Sequence, residues 1–269
     1  MSIIYIQPIF APDEKRLRRN LDSIISFGAY IKKYPYHALD IVFGGWARDE
    51  FWTEIRQTIN EHVGPQNAVK KFDKNCGKAV IVNTIYNGLE KKYNYLFTAD
   101  SDIIYLEDQP HMFQRMEEVA HRSSALRKRK FGMIALNQQG QNCHLPDFVY
   151  QNRLKYDGAH GEEEIVWPHG HGGIAGGCLF TTTGCWEATG GYRIMGVYAG
   201  DDAYYLIDVM AKGFSIQMFE SLSIRHPLDD DPEYNRWKVK TCQGESSAKK
   251  INIDKQIQEA DEFWKKHGH

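Results

Sequence analysis

The feature that most constrains this chain is an alternation of short apolar runs with helical patterns along residues 2–98. Runs rich in β-branched and aromatic residues, which favour strands, lie at 2–7, 39–43, 69–72 and 95–98. Between them apolar residues recur at helical spacing: Leu17, Leu21, Ile24 and Ile25, then Phe51, Ile55 and Ile59, then Val82, Ile85, Tyr86 and Leu89. This order predicts an α/β fold with a mostly parallel central sheet flanked by helices, in which Pro8 closes the first strand.

The second half of the chain continues the pattern less regularly. A helix opened by Pro110 and a strand over 131–136 are predicted first, and the segment 137–173 then lacks periodicity, as long functional loops do. Regular structure resumes over 174–189, a helix starts near 201 and is stopped by Gly213, and a strand follows at 214–219. An amphipathic helix is predicted in the tail, about 245–267.

Two carboxylates separated by one residue, Asp100 and Asp102, directly follow the fourth predicted strand. On an extended backbone they project to the same side, so one divalent cation or its bound diphosphate can engage both. An Asp-Ser-Asp run is also a common polar turn. In open α/β sheets, however, ligands bind outside the carboxyl ends of the strands, where the Gly44-Gly45 turn also falls.

Composition and charge exclude several classes of protein. The formal net charge is -2, so the whole chain is not attracted to nucleic acid or anionic lipid. The 5 cysteines are odd in number and form no Cys-x-x-Cys pair, which argues against a disulfide framework or a structural zinc site. No apolar run approaches the roughly 20 residues that cross a bilayer. We expect a soluble, cytoplasmic protein with no obligate protein partner.

Three further motifs accompany the aspartates: Gly172-Gly173-Ile174-Ala175-Gly176-Gly177-Cys178, then Trp186-Glu187-Ala188-Thr189-Gly190-Gly191-Tyr192, then Gly200-Asp201-Asp202. Together with Asn75-Cys76-Gly77-Lys78-Ala79 and Asn83, their order resembles glycosyltransferases of the GT-A fold, family 2 type. The resemblance covers most of residues 2–226. It implies one domain over 1–269, with a nucleotide-sugar half at about 1–108 and an acceptor half at about 109–230.

The resemblance implies a metal site for Mn²⁺ or Mg²⁺. Asp100 and Asp102 match the family's Asp-x-Asp motif, and His226 matches the histidine that completes the cation site in many members. Carboxylate oxygen suits both ions, and imidazole nitrogen favours manganese. A surface turn is the alternative for His226 alone.

The same resemblance assigns the transfer chemistry. It implies that Asp202 is the general base that takes a proton from the acceptor hydroxyl, and that Asp201 orients the acceptor. A helix-capping role for the pair is the structural alternative. The implied reaction moves a hexose from a nucleotide-diphosphate sugar, a UDP-sugar by family habit, with inversion at the anomeric carbon.

Donor and acceptor contacts complete these expectations. On the donor side they are Pro8, Ile9, Lys78, Asn83 and Asp100, and on the acceptor side Trp186, Gly176, Gly177 and Asp201. Trp186 has a core position as its alternative, and His169 and His171 resemble a metal pair only weakly. The family's acidic turn after the second strand is replaced by Phe43-Gly44-Gly45-Trp46, which leaves the nucleobase open.

The acceptor stays unassigned among a glycan, a lipid-linked sugar, a small molecule and a modified DNA base. Two basic clusters, Lys15–Arg19 and Arg127–Lys130, suit a polyanion, but solvated helix faces are the commoner explanation. A nucleotidyltransferase or pyrophosphorylase acting on sugar phosphates is the rival enzyme class. Such enzymes carry a Gly-rich basic loop after the first strand, where this chain has Gln7–Pro12. A non-catalytic module that binds nucleotide sugars is the third alternative.

Overall fold

A computed structural model describes residues 1–126, 130–140, 150–168, 174, 176–194, 196–197, 201–236 and 262. Its strands are β1 Ile3–Ala11, β2 Leu39–Ala47, β3 Ala68–Lys71, β4 Tyr95–Ala99, β5 Phe131–Gln139, β6 Tyr150–Gly158, β7 Gly161–Pro168, β8 Cys178–Thr182 and β9 Ser215–Arg225. Its helices are α1 Glu14–Lys33, α2 Trp52–His62, α3 Gly77–Asn87, α4 Met112–Leu126, α5 Thr183–Thr189 and α6 Asp201–Ala211, with a 3-10 turn at Asp49–Phe51.

The nine described strands form one sheet in the order β3-β2-β1-β4-β8-β5-β9-β7-β6. Pairing is parallel among β1, β2, β3 and β4 and between β5 and β9, and antiparallel where β7 or β8 takes part. Only β7 and β8 therefore run against the other strands. The predicted α/β fold with a mostly parallel sheet is confirmed.

Helices cover both faces of the sheet, so the central strands are buried on both sides. Alternate residues of β1 face opposite layers: Ile3 and Tyr5 lie with the apolar residues of α1, α2 and α4, and Ile4 and Ile6 with those of α3, α5 and α6. All four side chains are fully buried. This packing holds the carboxyl ends of β1, β2 and β4 at one edge of the sheet.

Helix α1 begins where Asp13 accepts a hydrogen bond from the Arg16 backbone N–H at 2.7 Å, as an N-cap residue does. Its last turn carries Lys32 and Lys33, which suit the negative end of the helix dipole. Leu17, at helical spacing from the other apolar residues, faces the core. The helix thus presents arginines of its first two turns, Arg16 and Arg19, to the carboxyl edge of the sheet.

The expectation that Pro8 closes the first strand is wrong, because β1 continues to Ala11. Pairing of β1 with β4 ends at Ile6 and Thr98, whereas pairing with β2 continues through Pro8 and beyond. In a strand, alternate residues direct their backbone groups to opposite neighbours. Pro8 lacks its N–H on the side where β4 has already ended, so no ladder bond is lost.

The expectation of a long irregular segment over 137–173 is also wrong in part, because β6 and β7 form an antiparallel hairpin there. The acidic residues at 162–164 break the apolar pattern by which a strand is recognised in the sequence. Glu163 is fully buried and accepts hydrogen bonds from the Arg115 guanidinium at 2.6 and 2.8 Å, so a charge stands where the strand pattern calls for an apolar residue. The predicted tail helix lies outside the described residues, apart from Glu262. None of the described helices is long and apolar enough to cross a membrane.

Candidate functional site

Two strand ends, those of β4 and β9, bring the predicted metal residues together. Asp100 follows β4, and its N–H donates to the Gly177 carbonyl at 2.7 Å, which fixes it beside the start of β8. His226 follows β9, and its N–H donates to the Gln139 carbonyl of β5 at 2.8 Å. The His226 Nε2 atom lies 3.1 Å from Asp102 Oδ1 and 3.9 Å from Asp100 Oδ2. The long-range convergence that the motif implied is present.

The imidazole of His226 is held from behind by Gln138. Its Nδ1 lies 2.9 Å from Gln138 Oε1, and Gln138 is only 2% exposed. Because Nδ1 is engaged by Gln138, Nε2 is the ring nitrogen directed at the two aspartates. Such support is typical of histidines that bind metals, because it fixes both the tautomer and the ring orientation.

Two carboxylates and an imidazole are donor types that Mn²⁺ accepts. An octahedral ion with bonds of about 2.1 Å places neighbouring ligands about 3.0 Å apart, and His226 Nε2 and Asp102 Oδ1, at 3.1 Å, are close to that spacing. Yet among the described residues no three His, Cys, Asp or Glu side chains form a ready-made metal cage. Basic side chains instead occupy carboxylate oxygens that a cation would need.

Lys78 and Arg19 are those basic side chains. Lys78 Nζ lies 2.6 Å from Asp100 Oδ1 and donates to the Gly176 carbonyl at 2.9 Å. Arg19 Nη2 lies 2.6 Å from Asp102 Oδ2. The two acids therefore have two cationic partners.

The pKa values of this cluster follow from burial and charge. Burial alone would raise the pKa of Asp102, but hydrogen bonds and charge from His226 and Arg19 outweigh it and lower that pKa. Burial alone would lower the pKa of Lys78, but the negative charges of Asp100, Asp201 and Asp202 and the neighbouring Tyr192 raise it well above its usual value. Both groups are thus charged at neutral pH.

The predicted catalytic pair, Asp201 and Asp202, opens helix α6, near enough for its charges to act on Lys78. Asp202 Oδ1 accepts from the Ala203 N–H at 2.8 Å, so part of its carboxylate caps the helix. The Oδ2 atom of Asp201 is buried and has no hydrogen-bond partner among the described residues. Burial, helped by the charges of Asp202 and Asp100, raises the pKa of Asp201 to about 6, against the opposing effect of Lys78.

Gly176 and Gly177 make this close approach possible. A Cβ atom at Gly176 would overlap the side chain of Asp202, and one at Gly177 would come within 2.8 Å of both His226 Nδ1 and Gln138 Oε1. The backbone of the two glycines thus packs directly against the side chains of Asp202 and His226. Their predicted contact with the acceptor stays a prediction.

Two predicted ligand contacts have structural partners instead. The Asn83 amide donates to the Tyr192 carbonyl at 2.8 Å and accepts from the Tyr192 N–H at 3.1 Å, so both of its polar groups are engaged. Trp186 is 3% exposed and packs edge-on against Tyr192. This is the core position that the sequence left open, and the buried ring cannot stack on an acceptor.

The remaining predicted donor contacts lie at the same sheet edge. Pro8 and Ile9 pair with Gly44 and Gly45 near the end of β1, and the Ile9 side chain is fully buried. Any contact from Ile9 to a nucleotide must therefore come from its backbone. His169, His171 and Gly200 lie outside the described residues.

Sequence reasoning missed Gln138 and Arg19 as members of the site. Gln138 lies in a strand with no motif around it. Arg19 belongs to the first basic cluster, whose Arg16 is 5% exposed and lies 2.7 Å from Asp13, 2.8 Å from Asp229 and 3.1 Å from Asp231. For Arg16 the expectation of a solvated helix face is thus wrong. Of the second cluster, Arg127–Lys130, only Lys130 is described.

Two cavities bounded by described residues lie away from this site. The larger, of about 460 Å³, is lined by the amino-terminal parts of β1 and β2, including Ile4 and Leu39. The smaller, of about 380 Å³, is lined by Tyr95, Phe131 and Thr182. Chemistry rather than cavity size points to the carboxyl edge, where buried charges and an unpartnered carboxylate oxygen meet.

The sheet and its flanking helices have the GT-A fold that the sequence resembles, and solved structures confirm the fold. The chain superposes on residues 1–349 of S. aureus TarS in complex with UDP with a TM-score of 0.57 and 11% identity, covering 99% of this chain and 72% of that one. With full S. aureus TarS the TM-score is 0.55 and the identity 10%, over 99% of this chain and 43% of TarS. With GalNAc-T7 in complex with UDP, GalNAc and Mn²⁺ it is 0.62 at 10% identity, over 99% of this chain and 55% of GalNAc-T7.

No protein-family model matches the sequence, and neither does any curated protein. The TM-scores of 0.55–0.62, at identities of only 10–11%, show a shared fold and no more.

Proposed function

We propose that this protein is a metal-dependent glycosyltransferase that moves a hexose from a nucleotide-diphosphate sugar, a UDP-sugar, to an acceptor hydroxyl with inversion. One observation carries the proposal. Asp100, Asp102 and His226 meet at the carboxyl edge of a GT-A sheet, and Lys78, which pairs with Asp100, also feels the charges of Asp201 and Asp202. The presence of UDP in structures of the same fold supports a uridine donor.

Asp100, Asp102 and His226 would hold Mn²⁺ or Mg²⁺. When bound, such an ion supplies positive charge that neutralises the leaving diphosphate and orients it. Lys78 places a second positive charge beside Asp100, where it would also stabilise the leaving diphosphate. Gln138 keeps the His226 Nε2 atom directed at the aspartates.

The acidic pair at the start of α6 performs the proton transfer in this proposal. Asp202 is the general base for the acceptor hydroxyl, and Asp201 orients the acceptor, as their motif implies. A pKa of about 6 leaves Asp201 mostly ionised at neutral pH, so it can accept a hydrogen bond from that hydroxyl. Gly176 allows Asp202 to lie against the backbone next to the cation-binding carboxylates.

The test separates binding from transfer. UDP affinity is measured by calorimetry, and UDP release is followed with a panel of UDP-sugars, each offered to simple hexoses, glycans and lipid-linked sugars as acceptors. Asp202→Asn should keep UDP affinity within about twofold and lower transfer by about 100-fold or more. Wild-type turnover in Asp202→Asn would overturn its role as the base. Absence of UDP binding to the wild-type protein, with and without Mn²⁺, would overturn the proposed function.

A further inference from the structure

Arg19 stands where the cation site meets the segment that follows β9. Its guanidinium lies 2.6 Å from Asp102 Oδ2 and 3.7 Å from Asp229 Oδ2, and its Nη1 donates to the Leu228 carbonyl at 3.2 Å. A further bond runs to the Pro227 carbonyl. The side chain is 15% exposed, so a planar, permanently charged group is held at the rim of the site and is still reachable from solvent.

The helix below fixes this position. Arg16, one turn earlier on α1, is buried among Asp13, Asp229 and Asp231, and its guanidinium lies 4.7 Å from the centre of the Tyr234 ring. This ion-pair network anchors residues 227–236 to α1 without Arg19. The segment is therefore held by Arg16, and the Arg19–Asp102 contact is not needed to anchor it.

The charges of the site explain the Arg19–Asp102 contact. Asp100 and Asp102 carry two negative charges, which Lys78 and Arg19 balance. A nucleoside diphosphate is itself an anion and would be repelled by the bare acid pair. A divalent cation that takes Asp102 must compete with Arg19, and a guanidinium released from a carboxylate is well shaped to donate to phosphate oxygens in the same fork geometry.

We propose that Arg19 is an exchangeable counter-ion, which neutralises Asp102 in the free protein and donates to the diphosphate of the donor once a divalent cation binds Asp102. Arg19 is thus a diphosphate-binding residue that also sets the metal affinity. The inference rests on the proposed function, because it takes a nucleoside diphosphate as the ligand. It adds a residue that the Asp-x-Asp motif does not contain.

The consequence is a pair of opposite effects from one substitution. In Arg19→Gln, Mn²⁺ alone no longer competes with a guanidinium, so its affinity should rise several-fold. UDP loses a charge-assisted hydrogen bond, so its affinity, measured with Mn²⁺ at saturation, should fall by about tenfold. In Arg19→Lys, which keeps the charge without the fork, Mn²⁺ affinity should stay near the wild-type value while UDP affinity falls.

Mn²⁺ binding is measured from the loss of the free-ion electron paramagnetic resonance signal, and UDP binding by calorimetry. Arg18→Gln is the matched control: Arg18 precedes Arg19, is 56% exposed and pairs with Glu14 and Glu54 away from Asp102. It should change neither affinity. Circular dichroism establishes that each variant is folded. If Arg19→Gln is unfolded, the Mn²⁺ and UDP affinities of Arg19→Lys test the inference.

Parallel losses of Mn²⁺ and UDP affinity in Arg19→Gln would show a merely structural role and overturn the inference. Unchanged affinities would overturn it as well. In both cases the wild-type protein still binds UDP, so the proposed glycosyltransferase function stands. A wild-type protein that binds no UDP overturns both.

Discussion

Asp201→Asn tests the electrostatic account of the site through stability. The Asp201 Oδ2 atom is buried without a hydrogen-bond partner among the described residues, and burial is the main reason that the pKa of this carboxyl rises from 3.8 to about 6. At about 1.4 kcal/mol per pKa unit, ionised Asp201 costs the native state about 3 kcal/mol above pH 6.5. An amide has nearly the shape of the carboxyl group and carries no charge, so it avoids this cost.

The sign of the pH dependence follows from the raised pKa. Below pH 3.8 the carboxyl is protonated in both the folded and the unfolded chain, and the substitution should change the free energy of unfolding little. As the pH rises from about 4 to about 6, the unfolded chain releases its proton first, and the wild-type protein loses stability. Above pH 6.5, Asp201→Asn should unfold roughly 5–10 °C higher than wild type.

Thermal unfolding followed by circular dichroism at several values from pH 4 to pH 8 measures this difference. Asp230→Asn is the control, because Asp230 is exposed and Lys15 lowers its pKa, so its substitution should have a small effect of opposite sign. A difference between Asp201→Asn and wild type that does not vary with pH would refute the reasoning. So would a variant that is less stable than wild type at pH 7.5.

Two further substitutions test the packing around the site. Gly176→Ala should displace the side chain of Asp202, destabilise the protein by roughly 1–3 kcal/mol in urea unfolding and abolish most transfer; Gly184→Ala, where an added Cβ meets nothing within 4 Å, should do neither. Asn83→Ala should cost roughly 1–3 kcal/mol, because both Tyr192 backbone groups lose their partner. A changed preference between UDP and GDP in that variant would instead show that Asn83 contacts the nucleobase of the donor.

Local chemistry made much of the fold and site predictable from the sequence. Apolar runs predicted the largely buried strands β1, β2 and β4, and helices with one apolar side predicted α1 to α3, because strands and helices have different periods. The short strand β3 was also predicted, although most of it is exposed. The Asp100-Ser101-Asp102 run could be placed at a strand end because an apolar run precedes it. His226 could be assigned only by resemblance, since it meets Asp102 across 124 positions of sequence.

What the sequence did not reveal depends on distant partners. The hairpin of β6 and β7 buries Glu163 against Arg115, 48 residues away, and an acidic residue argues locally against a buried strand. Arg19 reads as one member of a basic cluster until the fold places Asp102 beside it, 83 residues away. Trp186 could be a ligand platform or a core residue, and only its packing decides.

The most direct measurement is the thermal stability of the protein against UDP, GDP, CMP and dTDP, each with and without Mn²⁺, in the wild type and in Asp102→Asn. A ligand that binds the native state raises the unfolding temperature according to its affinity. The account predicts a rise with UDP that depends on Mn²⁺ in the wild type and is lost in Asp102→Asn. A folded wild-type protein that responds to none of the four nucleotides, or an Asp102→Asn variant that keeps the full Mn²⁺-dependent response, would contradict it.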